Sequence, residues 1–172
     1  MPNISLWYET FGEKKNPPLL LIAGGLCQGI LWPDEFCEAL AKKGLYVIRY
    51  DHRDSGLSTC VDFTKAPYSL YDMAEDATQL LDYLKIEKAH ACGISMGGVI
   101  AELMSAHFPE RISTIALFST SCDLRPLSVR YHMVESILQR VLCLDQKKSI
   151  HNGCRDFYNT LPHTLKSIYK SV

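Results

Sequence analysis

Residues 93 to 97 read Gly93-Ile94-Ser95-Met96-Gly97, a G-x-S-x-G sequence with an apolar run before it and a helical pattern after it. A serine on a sharp strand-to-helix turn projects its hydroxyl from the end of a sheet, and the bend needs small residues around it. The same turn opens a helix, where unpaired amides and the dipole favour developing negative charge. These are the parts of nucleophilic acyl transfer by Ser95. A glycine-rich turn without chemistry is the plain alternative. The strand before, the helix after and a second glycine turn upstream favour the nucleophile.

That second turn is Ala23-Gly24-Gly25-Leu26. Acyl transfer passes through a tetrahedral oxyanion, which needs two preorganised N–H donors. One is expected from Met96, the residue after the serine, and the other from Gly25. Taken alone, the two glycines fit a simple chain turn equally well. A third feature, Tyr50-Asp51-His52-Arg53-Asp54-Ser55-Gly56-Leu57-Ser58, packs charged and small residues into one turn after a strand. Its side chains are expected to bond neighbouring loops and hold the rim of the site, with His52 as a loop histidine rather than a base.

The elements that must position these residues are legible in order. Ile4 to Tyr8 alternates weakly and predicts a strand. The continuous apolar run Leu19 to Ala23 suits a strand buried on both faces of a parallel sheet. Pro33-Asp34-Glu35 opens a helix with proline at its first position, and Trp32, Phe36 and Leu40 share its apolar face. Leu45 to Tyr50 is the next strand, Leu70 to Leu84 an amphipathic helix, Ala89 to Ile94 a strand. A helix follows from about Met96 to Phe108, then a strand from Ile112 to Phe118. Alternation of this kind means α/β with a mostly parallel sheet, flanking helices and right-handed crossovers. After Ser121 the pattern turns helical, over Val129 to Leu142 and again within Arg155 to Tyr169.

The chain has 172 residues, 47% of them apolar and 22% charged, the balance of one globular domain. A net charge of −1 offers no footprint for nucleic acid or an anionic membrane. The start has no basic segment or apolar signal core, and the apolar runs are too short to span a bilayer. A soluble, cytoplasmic protein is expected. The seven cysteines are scattered without metal-ligand or C-x-x-C spacing and read as reduced thiols. No metal and no organic cofactor is implied. The residues themselves argue against a dinucleotide site, since Gly93-x-Ser95-x-Gly97-Gly98 is not G-x-G-x-x-G.

Taken together, Leu-Leu-Leu-Ile-Ala-Gly-Gly at 19–25, Trp-Pro-Asp-Glu-Phe at 32–36, Ile-Arg-Tyr-Asp-His-Arg-Asp-Ser-Gly-Leu-Ser at 48–58 and the serine turn resemble the α/β-hydrolase superfamily. More narrowly, they resemble the aclacinomycin methylesterase-like carboxylesterase branch. The superfamily pattern is D-x-R-G-x-G-x-S, and this chain carries Asp54 where glycine is usual, as that branch does. The resemblance implies an α/β-hydrolase core over 1–122, incomplete at the C-terminal end, and the start of a helical cap over 123–172. It implies a serine hydrolase acting on carboxylic esters through an acyl-enzyme at Ser95, with Gly25 and Met96 as backbone donors to the oxyanion. It also implies that Leu26 and Trp32 lie near the pocket for a small-molecule ester.

The chain departs from that family after Ser95. There the acid and then the histidine follow the cap, on the last strands of the sheet. His107 falls in the helix after the serine, His132, His151 and His163 fall in cap-like sequence, and none matches the triad position. Asp123 follows a strand, where a minority of such enzymes place the acid. The alternative expectation is therefore a catalytically incomplete fragment, lacking the triad acid and histidine. Without further strands, Ile112–Phe118 becomes a sheet edge, for which marginal stability, self-association or pairing with a missing piece is expected.

Overall fold

A computed structural model describes residues 4–120. Its five strands form one sheet in the order β1-β3-β2-β4-β5, where β1 is Tyr8–Phe11, β2 Pro18–Ile22, β3 Tyr46–Tyr50, β4 Ala89–Ile94 and β5 Ile112–Phe118. β2 pairs parallel with β3 and with β4, and β4 pairs parallel with β5. Only β1 runs antiparallel, Tyr8 opposite Tyr50 and Phe11 opposite Val47. Helices α1 (Asp34–Lys42), α2 (Leu70–Tyr83) and α3 (Met96–His107) connect the parallel strands. The expected mostly parallel α/β sheet is present.

Strand assignments follow burial. β3 is buried along its whole length, and Leu20, Leu21 and Ile22 of β2 are fully buried, as a sheet covered on both faces requires. One face packs Leu20, Ile22, Ile48 and Ala91 against Met73, Ala77, Leu81, Ile100 and Met104 of α2 and α3. The other packs Leu21, Val47 and Cys92 against Trp32 and Cys37 beside α1. Ser69 caps α2 in a reciprocal box: its hydroxyl accepts from the Asp72 amide, and its own amide donates to the Asp72 carboxylate at 2.7 Å.

Two local expectations change. The first strand begins at Tyr8, where the predicted one ends, because the antiparallel ladder to β3 spans Tyr8–Phe11; Ser5 and Trp7 bond instead to Thr59, Ser58 and Asp51. In α1, Pro33 sits at the cap position rather than inside the helix, and the buried residue is Cys37, while Phe36 is exposed and stacks on Trp32. The helix is rotated about one residue from the predicted face, so that Cys37 rather than Phe36 meets the sheet.

At the end of the sheet, Ile112 of β5 is buried but Ile115, Leu117 and Phe118 are exposed, Phe118 by 52%. No helix among the described residues is long and apolar enough to cross a membrane. The predicted helices beyond Ser121, Asp123, and the proposed division at residue 122 lie outside the described residues.

Candidate active site

Ser95 occupies the single position between β4 and α3, with φ 53° and ψ −119°. A side chain at such a φ is strained by roughly 1–3 kcal/mol and persists only where its surroundings enforce it. They do so here from three sides. The Ser95 amide donates to the carbonyl of Phe118 at 2.9 Å, which anchors the bend to β5. The Ser95 carbonyl accepts from Gly98 at 3.0 Å and begins α3. A Cβ on Gly93 would overlap the carbonyl of Gly97, and one on Gly97 would overlap those of Ile22 and Ala23, so strand, bend and helix close only with glycine at both places.

The turn after β2 comes directly against this bend. A Cβ on Gly24 would lie 3.6 Å from that of Ser95, and one on Gly25 would lie 3.5 Å from the sulfur of Met96. Gly24 accepts from the Cys27 amide at 3.3 Å, and Leu26 between them stands at φ 65°. Ser95, Met96, Gly25 and Leu26 are thus gathered at one end of β2 and β4. Met96 begins α3, so its amide belongs to the first turn, where intrahelical partners are lacking.

Trp32 packs on the α1 side of the sheet. Its ring is buried beside Leu21, Cys37, Val47 and Cys92 and stacks on Phe36 at 5.6 Å, and its carbonyl accepts from Arg49. Its indole Nε1 is buried without a hydrogen-bond partner among the described residues.

The turn after β3 does what its composition predicts. Asp51 accepts from the Gly29 amide at 2.7 Å and from the Leu57 amide at 3.0 Å. Burial pushes its carboxyl above the ordinary range even against these bonds. Ser55 donates its hydroxyl proton to the carbonyl of Cys27 at 3.1 Å, and His52 Nε2 lies 3.0 Å from the carbonyl of Ala23. Burial pushes the His52 pKa down to about 4, against the pull of that carbonyl. Arg53 donates from Nε and its other nitrogen to both oxygens of Asp76, at 2.6 and 2.7 Å. Burial works against the guanidinium charge, but Asp76 outweighs it and holds the Arg53 pKa above its usual value. Nothing in the helical pattern around Asp76 singles it out as a buried partner.

Asp54 stands at φ 61°, which explains why glycine is usual there. Aspartate is among the few other residues that tolerate this region, because its short side chain bonds locally. Here it accepts from the Val61 amide at 2.5 Å.

Each described histidine has a partner other than Ser95. His52 bonds Ala23, His90 Nδ1 lies 2.7 Å from the Thr114 hydroxyl, and His107 meets the edge of Tyr71 at 4.9 Å. His132, His151 and His163 lie outside the described residues. Burial pushes the thiol of Cys92, on β4, up to about 11, so it offers no competing thiolate. No group of three or more His, Cys, Asp or Glu side chains suited to a metal gathers among the described residues.

Comparison with known proteins agrees with this architecture. A family model described as the alpha/beta hydrolase fold matches residues 17–141. The chain is 45% identical over 114 residues to rhodomycin D methylesterase of Streptomyces sp. (strain C5), covering 66% of this chain and 38% of that protein. It is 31% identical over 122 residues to 3-oxoadipate enol-lactonase 2 of Acinetobacter baylyi, covering 71% of this chain and 44% of that protein. Among solved structures, a hydrolase of Pseudomonas aeruginosa superposes with a TM-score of 0.72 at 28% identity, over 95% of this chain and 58% of that one. The match therefore spans less than half the length of these curated relatives.

Proposed function

The chain belongs to the α/β-hydrolase fold family, and we propose that it carries the nucleophile side of a carboxylic ester hydrolase, with Ser95 attacking the ester carbonyl. The acyl group passes to the Ser95 oxygen, the alcohol leaves with a proton, and water then releases the acid. The amides of Met96 and Gly25 stabilise the tetrahedral oxyanion in both halves. A small-molecule ester is the substrate, with Leu26 and Trp32 bordering its pocket. The chemistry requires no cofactor. The observation that carries this reading is the enforced φ of 53° at Ser95, beside the Gly24–Gly25 turn. The likeness to a methylesterase and an enol-lactonase, both of which open a carboxylic ester bond, supports it.

Hydrolysis of p-nitrophenyl acetate and butyrate tests it. The reading expects a burst of p-nitrophenol that disappears in Ser95→Ala. Equal turnover by the variant would overturn it.

One observation favours a second reading, in which this polypeptide lacks the acid and base of the triad. A serine hydroxyl is a weak nucleophile until a base takes its proton, and among the described residues His52, His90 and His107 each meet a partner other than Ser95. On this reading turnover is confined to the ~10³–10⁴-fold over water left by binding and oxyanion contacts. The core then occupies residues 1–122 and a partial cap 123–172. The exposed apolar residues of β5 support self-association through the sheet edge, which sedimentation of the full chain measures directly.

A further inference from the structure

We propose that His52 is a positioning residue: through its Nε2–H it fixes the carbonyl of Ala23, and with it the peptide planes that aim the amide of Gly25 at Ser95. This rests on the reading of Ser95 and Gly25 given above and adds a determinant outside the motifs that carry that reading.

The Ala23 carbonyl sits where a partner must be supplied. The ladder between β2 and β4 ends at Ile22 opposite Gly93, so Ala23 is past the last paired residue, yet it is fully buried. A buried carbonyl left without a partner is destabilising, because it gives up its bond to water and gains nothing in return. His52 Nε2 meets it at 3.0 Å. A neutral imidazole has one N–H, and a carbonyl only accepts, so the bond selects the tautomer with hydrogen on Nε2. The ring is buried and set edge-on to Tyr50 at 5.1 Å and 79°, packing that restrains its tilt.

The same turn grips the other end of the glycine segment. Ser55 donates to Cys27, Cys27 donates to Gly24, and Asp51 accepts from Gly29. His52 and Ser55 therefore hold residues 23 and 27, and only Gly24, Gly25 and Leu26 lie between. Glycine adds no side-chain restraint, so the direction of the Gly25 amide depends on these two anchors. The Ala23 carbonyl also faces the position where Gly97 lacks a Cβ, so its displacement disturbs the spacing between the β2 end and α3.

The test uses the full chain with His52→Phe and His52→Gln. Phenylalanine keeps the ring volume and the contact with Tyr50 but has no donor; the glutamine amide can donate from near the position of Nε2. The rate of Ser95 modification by a fluorophosphonate is expected to fall about 10- to 100-fold in His52→Phe, less than or comparable to the loss of an oxyanion donor. It is expected to recover to within about threefold of wild type in His52→Gln, a pattern that a merely destabilised fold does not produce. In parallel, ¹⁵N spectra should show the Nε2–H tautomer in wild type and displaced Gly24 and Gly25 amide resonances in His52→Phe. A folded His52→Phe that reacts at the wild-type rate, or a wild-type ring protonated on Nδ1, overturns the inference. If wild type is not modified at all, the Ser95 reading fails. The positioning role is then judged by the spectra, where unmoved Gly24 and Gly25 amides in His52→Phe refute it. If His52→Phe does not fold, the tautomer and the His52→Gln rate decide.

Discussion

The guanidinium of Arg53 and the carboxylate of Asp76 meet through two hydrogen bonds, at 2.6 and 2.7 Å, with both residues buried. The pair joins the turn after β3 to the middle of α2, and Arg53 also lies over the ring of Tyr68 at 4.7 Å. Removing one partner strands a buried charge, so Asp76→Ala is expected to lower stability by about 3–5 kcal/mol. Arg53→Met combined with Asp76→Leu leaves no charge behind and should cost clearly less. Urea unfolding of the single and double variants measures the difference, and additive losses would contradict the pairing.

The bend at Ser95 has its own steric test. A methyl on Gly97 meets the carbonyls of Ile22 and Ala23, backbone atoms that move only if β2 and α3 separate. Gly97→Ala is expected to cost about 1–3 kcal/mol, as overpacking does, and to reduce Ser95 reactivity further than the stability loss explains. Thermal unfolding together with labelling rate checks both halves.

Asp54 offers a test of sign. At φ 61° an L-residue other than glycine is penalised by roughly 1–2 kcal/mol, which the bond from the Val61 amide offsets here. Asp54→Ala loses the bond and keeps the penalty; Asp54→Gly loses both. The glycine variant is therefore expected to be the more stable of the two by about 1 kcal/mol, in denaturant melts at equal concentration. Equal stability would contradict the backbone assignment.

His52 makes a definite prediction about pH. Its pKa is near 6.5 in an unfolded chain and about 4 when folded, because burial disfavours the charged ring. Between those values the unfolded chain binds a proton that the folded chain refuses. Stability from this residue therefore rises with pH through the window and is complete above 6.5, a span of roughly 3 kcal/mol. Asp51 and Asp76 titrate upward-shifted and act in the opposite sense, so the contribution is read as wild type minus His52→Gln. That difference should shrink steadily as pH falls from about 6.5 toward 4. A difference independent of pH contradicts a neutral buried ring.

Much of the fold was legible because burial on both sides leaves a plain mark. Leu19 to Ile22 can be apolar at every position only if helices cover both faces, and the glycine pairs at 24–25 and 97–98 punctuate the strand ends. The Ser95 bend was equally readable, since G-x-S-x-G constrains local sterics within five residues. What the sequence hid was long-range. Asp76 looks like a solvated helix carboxylate until the turn after β3 brings Arg53 beside it. Phe36 looks like the core face of α1 until the helix is seated and Cys37 is found inside. The first strand was displaced because Ile4 to Trp7 also alternates, and only the ladder to β3 decides which segment pairs. His52 was legible as a loop residue, but its partner, 29 positions earlier, was not.

The reactivity of the Ser95 hydroxyl is measured most directly by a fluorophosphonate probe followed by peptide mass mapping. The full chain is expected to gain one phosphonyl adduct, on the peptide that carries Ser95, and Ser95→Ala is expected to gain none. An adduct on any other residue, or equal modification of the Ser95→Ala chain, would contradict the assignment of Ser95 as nucleophile.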